Sequence, residues 1–238
     1  VIFDVKDGIS KKKPITCKDF RSIINDKVMA GLSAYVEAGE FTQEGIARAV
    51  DVLSGHLKRA RYFNCVRTDI FATAVLRNCT NSRKAIRAIE EAIGAPVNLL
   101  SARDEAHLSF TGASCDRTIE KGTVVDLGGG STELIRVEEG RDFDDVSIGQ
   151  GSLSSYAGYV EFLMPQADEV GAIERAFLER VAETPVDLQK YRAETLYGVG
   201  GSARAAAKLY AQMTGESCRP RTLTPEHFDA LLDLLENN

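Results

Sequence analysis

In VVDLGGGSTELI, residues 124–135, an apolar run ends in an aspartate, three glycines and two hydroxyl residues follow, and a second carboxylate stands seven positions after the first. The apolar segments on either side read as two strands, with the glycines turning the chain between them. A plain hairpin turn needs only one glycine at positive φ, and each further one adds conformational entropy that folding must overcome. Two readings follow: a flexible turn with Asp126 and Glu133 as solvated flanks, or a loop that lets backbone N–H groups approach an anion. In the second, the amides of Gly128, Gly129 and Gly130 form a concave positive nest, and Ser131 and Thr132 add hydroxyl donors. Asp126 and Glu133 then hold a divalent cation, directly or through water. Magnesium suits two carboxylates with phosphate oxygens and retained waters. The loop lacks the lysine of a P-loop, so it requires independent support.

Length allows two domains, since 238 residues suffice for two units of about 100 to 150 each. No segment approaches the roughly 20 apolar residues of a membrane span, which predicts a soluble protein without a membrane partner. The net charge of −6 argues against a protein that coats nucleic acid through bulk positive potential. Any polyanion would have to be held locally, and the basic runs Lys11 to Lys13 and Lys58, Arg59, Arg61 read either as such contacts or as solvated faces. Five cysteines, Cys17, Cys65, Cys79, Cys115 and Cys218, are odd in number and lack a CxxC pair. They suggest neither a disulfide framework nor a zinc site, and fit a reducing cytoplasm. His56, His107 and His227 are isolated and receive no chemistry.

Along the chain, VIFDVKDG reads as a strand with a turn at Asp7-Gly8. Residues 46–63 place Ile46, Val50, Leu53 and Leu57 on one helical face. A strand-rich run at 69–75 leads to Arg77, and a helix capped by Ser82 and stopped at Gly94 follows. PVNLLS is then a strand and ARDEAHLSFTGAS a helix, an alternation that predicts an α/β domain over 1–115 and a second domain over 116–238. The second half reads as strands at 123–127, 133–137 and in FDDVSIG, with a glycine turn at 149–151. Helices are expected at 153–163, 169–183 and after the Thr224-Pro225 start.

Support for the anion-binding reading comes from YGVGGSARAAAKL, residues 197–209: a strand, a Gly-x-Gly-Gly-Ser turn and an Ala-rich helix. The free N–H groups of that helix start would point back at the turn, the geometry of a phosphate site. Glycines there also relieve close strand–helix packing. Two such loops in one domain favour phosphate.

One loop at a hairpin tip after an aspartate and one opening a helix is the arrangement of actin-like, sugar-kinase and Hsp70-like proteins. Within that superfamily the chain resembles the exopolyphosphatase / guanosine pentaphosphate phosphatase family. The resemblance rests on ATAVLRNCTN (72–81), LLSARDEAHLSFTG (99–112), VVDLGGGSTELI (124–135) and GVGGSARAAAKL (198–209), in the family's order. It implies two actin-like (ribonuclease H-like) α/β domains, mixed sheets flanked by helices, with a cleft between them. It also implies a magnesium-dependent hydrolase that releases the terminal phosphate of inorganic polyphosphate or guanosine pentaphosphate, and leaves the choice of substrate and a homodimer open. Carried over residue by residue, Glu105 positions the attacking water and Arg77 neutralises charge on the transferring group. Asp126 and Glu133 are the magnesium-linked acids; Gly128, Gly129, Gly130 and Ser131 form the first phosphate loop, and Gly200, Gly201 and Ser202 the second.

The chain departs from the family pattern at Ala102, where Gly is usual, and at Asp104, where Glu is usual. VIFDVKDG matches the family's second strand, so the pattern predicts a further strand and an Asp-x-Gly-Ser-Asn loop ahead of it and more helix after residue 238. The alternatives are a non-catalytic binder of polyphosphate or alarmone, and an actin-like kinase or ATPase.

Overall fold

A computed structural model describes residues 1–6, 16–217 and 222–236. Lys11 to Lys13, the Asp7-Gly8 turn and Cys218 lie outside the described residues. The chain divides into two compact units, Val1–Thr118 and Ile119–Asn238. Among the described residues no helix is long and apolar enough to cross a membrane.

In the first unit β1 (Ile2–Val5) pairs antiparallel with β2 (Phe20–Ile24), and β3 (Val36–Glu37) with β4 (Glu40–Phe41). Thr42 then caps α1 (Gln43–Tyr62) by accepting the Gly45 N–H. The stripe read from the sequence faces inward: Ile46 is buried, and Val50, Leu53 and Leu57 pack against the core of Phe41, Ile70, Leu76, Ile86 and Ile89. The expected strand over 69–75 shrinks to β5 (Phe71–Ala72), because the chain turns at once into α2 (Ala74–Arg77). Next comes α3 (Ser82–Ile93), ended by Gly94 at φ +66° as its position predicted. Ser82 does not cap it. Asn81 holds the cap position and uses its side-chain amide to bond both the N–H and the C=O of Phe41, each at 2.9 Å, tying α3 to β4. Ser82 is buried inside the first turn instead. PVNLLS forms only β6 (Asn98–Leu99), parallel to β5, before α4 (Ala102–Asp116).

The second unit is built on a mixed sheet. Strands β7 (Gly122–Leu127), β8 (Thr132–Glu138) and β9 (Arg141–Ile148) form an antiparallel meander. Two helices follow, α5 (Ser152–Tyr159) and α6 (Ala167–Glu183). The chain then returns as β10 (Leu196–Val199), parallel to β7, giving the order β10-β7-β8-β9. Helices α7 (Gly200–Thr214) and α8 (Pro225–Glu236) complete it. Val124, Ile135 and Val137 alternate onto the fully buried face. Helix α5 stops four residues short of the expected 163, where Val160 turns extended and the Tyr156 hydroxyl donates to the Phe162 carbonyl at 2.8 Å.

Candidate functional site

In the first unit, the two-residue ladder between β5 and β6 decides where the chemistry goes. Parallel strands run out at the same end, so α2, which follows β5, and α4, which follows β6, start side by side. Arg77 closes α2 and Glu105 stands in the first turn of α4; Arg77 Nη1 meets Glu105 Oε2 at 2.7 Å and also donates to the Leu100 carbonyl at 3.1 Å. The pair is mostly buried, at 18% and 21% side-chain exposure. Such a pair carries more weight than an exposed one, because less solvent screens it.

The departure at Asp104 has a local explanation. Ser101 Oγ accepts the Asp104 N–H at 3.0 Å while the Asp104 carboxylate accepts from the Ser101 hydroxyl at 2.6 Å and from its N–H at 3.3 Å, a reciprocal capping box. Those two bonds from Ser101, side chain first, hold the Asp104 carboxyl below its usual range. Asp104 is therefore a helix-start residue, and Glu105 beside it keeps its own partner. Ser101→Ala should cost about 0.5–2 kcal/mol of stability, read by thermal unfolding. Because the folded-state pKa of Asp104 is lowered, its contribution is present above the ordinary carboxylate range and is lost as pH falls through the lowered value. The Ser101→Ala deficit should thus shrink in acid; a deficit independent of pH would take Asp104 out of the box.

In the second unit, strand register assembles a row. Val199 pairs with Asp126, Asp126 with Glu133, and Glu133 with Ser147. Residues directly opposite one another share a face of the sheet, which sets the two carboxylates side by side. Glu133 is 3% exposed and its Oε1 accepts the Ser147 hydroxyl at 2.9 Å. Asp126 lies against the start of α7: a Cβ on Gly200 would stand 3.1 Å from Asp126 Oδ1 and 3.2 Å from the Leu127 carbonyl. Gly200 also has φ +94°, which L side chains rarely adopt. A Cβ on Gly201, by contrast, would meet nothing within 4 Å. No side chain caps α7, and its first turn carries no acid, so Gly200, Gly201 and Ser202 present their amides at a positive helix end.

The hairpin loop is held from behind by α5. Gly128 O accepts the Ser152 N–H, and Gly129 O accepts those of Leu153 and Ser154, all at 2.9 Å. The Gly128 N–H, expected at the anion, donates instead to the Ser131 carbonyl at 3.0 Å and closes the hairpin, while the amides of Gly129, Gly130 and Ser131 take no part in these bonds. Gly151 makes this packing possible, since a Cβ there would fall 2.6 Å from Gly128 O and 2.7 Å from Ser131 N. Thr132 departs from its expected role as an anion donor. It is 3% exposed and its hydroxyl donates to the Gln150 carbonyl at 2.8 Å, so that proton stays within the chain.

Thus Arg77 and Glu105 come together in one unit, and Asp126, Glu133 and both glycine loops come together in the other. Ser147 and Gly151 are members that sequence reasoning did not assign; the glycines of IGQGS marked a turn there but gave no hint of what it supports. Among the described residues no group of three or more His, Cys, Asp or Glu could hold a metal.

The sequence model of the Ppx/GppA phosphatase family matches residues 9–237. A Haemophilus influenzae protein named "Putative exopolyphosphatase" is 23% identical over 199 residues, which cover 83% of this chain and 60% of that protein, so the chain spans about 60% of its length. The crystal structure of an exopolyphosphatase from Cytophaga hutchinsonii superposes with a TM-score of 0.77 at 21% identity, covering 94% of this chain and 74% of the other. An Aquifex aeolicus member of the Ppx/GppA family gives 0.68 at 21% identity, with 94% and 73% covered. At these identities the two structures establish the shared fold.

Proposed function

The chain belongs to the Ppx/GppA phosphatase family, and from that premise we propose that it forms the catalytic part of a phosphoanhydride hydrolase that releases the terminal phosphate of inorganic polyphosphate or guanosine pentaphosphate. The observation that carries this reading is the row Asp126–Glu133, set in register and flanked by two amide-rich glycine loops at the same end of β7. Two acids beside two anion nests suit a phosphate chain with its cation and suit few other ligands.

The terminal phosphoryl oxygens are bound by the amides of Gly129, Gly130 and Ser131 and by the first turn of α7 at Gly200, Gly201 and Ser202. Asp126 and Glu133 would hold a magnesium ion, which when bound supplies positive charge to the phosphate oxygens. Ser147, donating to Glu133 Oε1, fixes the orientation of that carboxylate. Glu105 accepts a proton from water as the water oxygen attacks the terminal phosphorus and the phosphoanhydride bond breaks. Arg77, 2.7 Å from Glu105, holds the carboxylate in place and offers a guanidinium to the charge that spreads over the phosphoryl oxygens. A cytoplasmic setting completes the proposal, supported by scattered cysteines without a disulfide framework.

The deciding experiment is phosphate release from both substrates, side by side, with and without magnesium. Magnesium-dependent release from either supports hydrolysis. Tight binding of both with no release would leave a sensor of polyphosphate or alarmone in its place. Gly201→Ala isolates the second loop. Alanine is the better helix former by up to about 1 kcal/mol and meets no atom here, so the variant should unfold no earlier than the parent. Its affinity for polyphosphate should fall about tenfold, the loss of one charge-assisted contact of about 1.5 kcal/mol. Unchanged affinity would release Gly201 from the site.

A further inference from the structure

Cys17 and Cys115 stand 98 positions apart in the chain and meet in the first unit. Cys17 lies in the turn that enters β2, and Cys115 in the last turn of α4. The Cys17 thiol donates to the Cys115 carbonyl oxygen at 2.8 Å, and the Cys17 N–H reaches the same oxygen at 3.4 Å. The Cys17 side chain thus ends against the residue that carries the second thiol. Burial pushes the Cys115 thiol up, and the neighbouring Cys17 sulfur adds to the push, so the two groups sense each other. Their exposure differs in a useful way: Cys17 is open to solvent and Cys115 is half-buried behind it. Cys79, in contrast, is buried in the core with its thiol donating to the Val75 carbonyl.

We propose that Cys17 and Cys115 form a reversible dithiol–disulfide pair that responds to peroxide and to small disulfides. With peroxide, the exposed Cys17 sulfur attacks one oxygen, the O–O bond breaks, and a sulfenic acid and one water result. The Cys115 sulfur then attacks the Cys17 sulfur, the S–O bond breaks, and a second water leaves; two thiols are oxidised as one peroxide is reduced to two waters. With glutathione disulfide, the same bond forms through a mixed disulfide and two glutathione thiols depart. The closed form ties the turn before β2 to the far end of α4, the helix that carries Glu105 in its first turn. This pairing stands on unit-one geometry alone and is independent of the hydrolytic reading.

The test treats the purified full-length protein with a slight excess of hydrogen peroxide or with glutathione disulfide, blocks remaining thiols by alkylation, and maps the unreduced peptides by mass spectrometry. The expected product is an intramolecular Cys17–Cys115 peptide, with two thiols lost to alkylation and regained on adding dithiothreitol. Cys17→Ser should lose that paired product, and Cys65→Ser should behave as the parent. A Cys17 found only as sulfinic acid or as a stable glutathione adduct would overturn the proposal, as would linkage of Cys17 between two copies. The cross-linked peptide is read on the unmutated protein, so the outcome holds however the variants fold.

Discussion

Replacing Glu105 with Gln should lower turnover by about 10²- to 10⁴-fold, the usual share of a positioned acid/base group, while KM moves little. The geometry makes the substitution a clean one. The glutamine oxygen can still accept from Arg77, and Arg77 keeps its bond to the Leu100 carbonyl, so α2 and α4 remain joined at the same place. What disappears is the capacity to take a proton. Thermal unfolding within a few degrees of the parent, together with a collapsed kcat, is the expected pair of results. A kcat within threefold of the parent would remove Glu105 from the proton transfer and leave the ion pair as a structural tie between two helices.

Asp126→Asn should act through the cation instead. The substitution preserves size and the ladder of β7 with β8 and β10, but removes one of the two charges in the row. Loss of one charge-assisted contact, about 1.5–3 kcal/mol, corresponds to roughly a 10- to 150-fold rise in the magnesium concentration giving half-maximal rate. At saturating magnesium much of the rate should return, which distinguishes this variant from Glu105→Gln. A magnesium titration that superposes on the parent's would show that Asp126 holds something other than the cation, such as the start of α7 against which its Oδ1 lies.

The features that the sequence displayed were those with a steric cause. Three glycines between apolar runs marked the hairpin loop, where a Cβ on Gly128 would stand 3.1 Å from the Ser131 carbonyl oxygen, and Gly200 at φ +94° demanded a residue without Cβ. The stripe of Ile46, Val50, Leu53 and Leu57 faced the core because burial follows the helical period. Elements shaped by distant partners were not visible. Ser82 looks like a cap by residue type, yet Asn81 takes the position because Phe41, forty residues earlier, offers both a donor and an acceptor to its amide. Strands β5 and β6, two residues each, show no periodicity at all, and their parallel pairing is what brings Arg77 to Glu105. Thr132 and Ser147 could be told apart only once the ladder showed which hydroxyl faces Gln150 and which faces Glu133.

The row from Val199 through Asp126 and Glu133 to Ser147 is written across four strands by backbone pairing alone. Strand side chains alternate with a period of two, so sliding β8 by a single residue against β7 would send Glu133 to the opposite face and bring Thr132 or Leu134 in its stead. Such a slip would also force Ile135 and Val137, both fully buried, out of the core. Misalignment of the carboxylates therefore carries the penalty of an exposed hydrophobic face, and the sheet proofreads the site as it zips. A one-residue insertion between Gly128 and Ser131 challenges that coupling directly: either the loop absorbs the extra residue as a bulge and both acids stay in line, or the hairpin loses its core and its row of acids in one cooperative step.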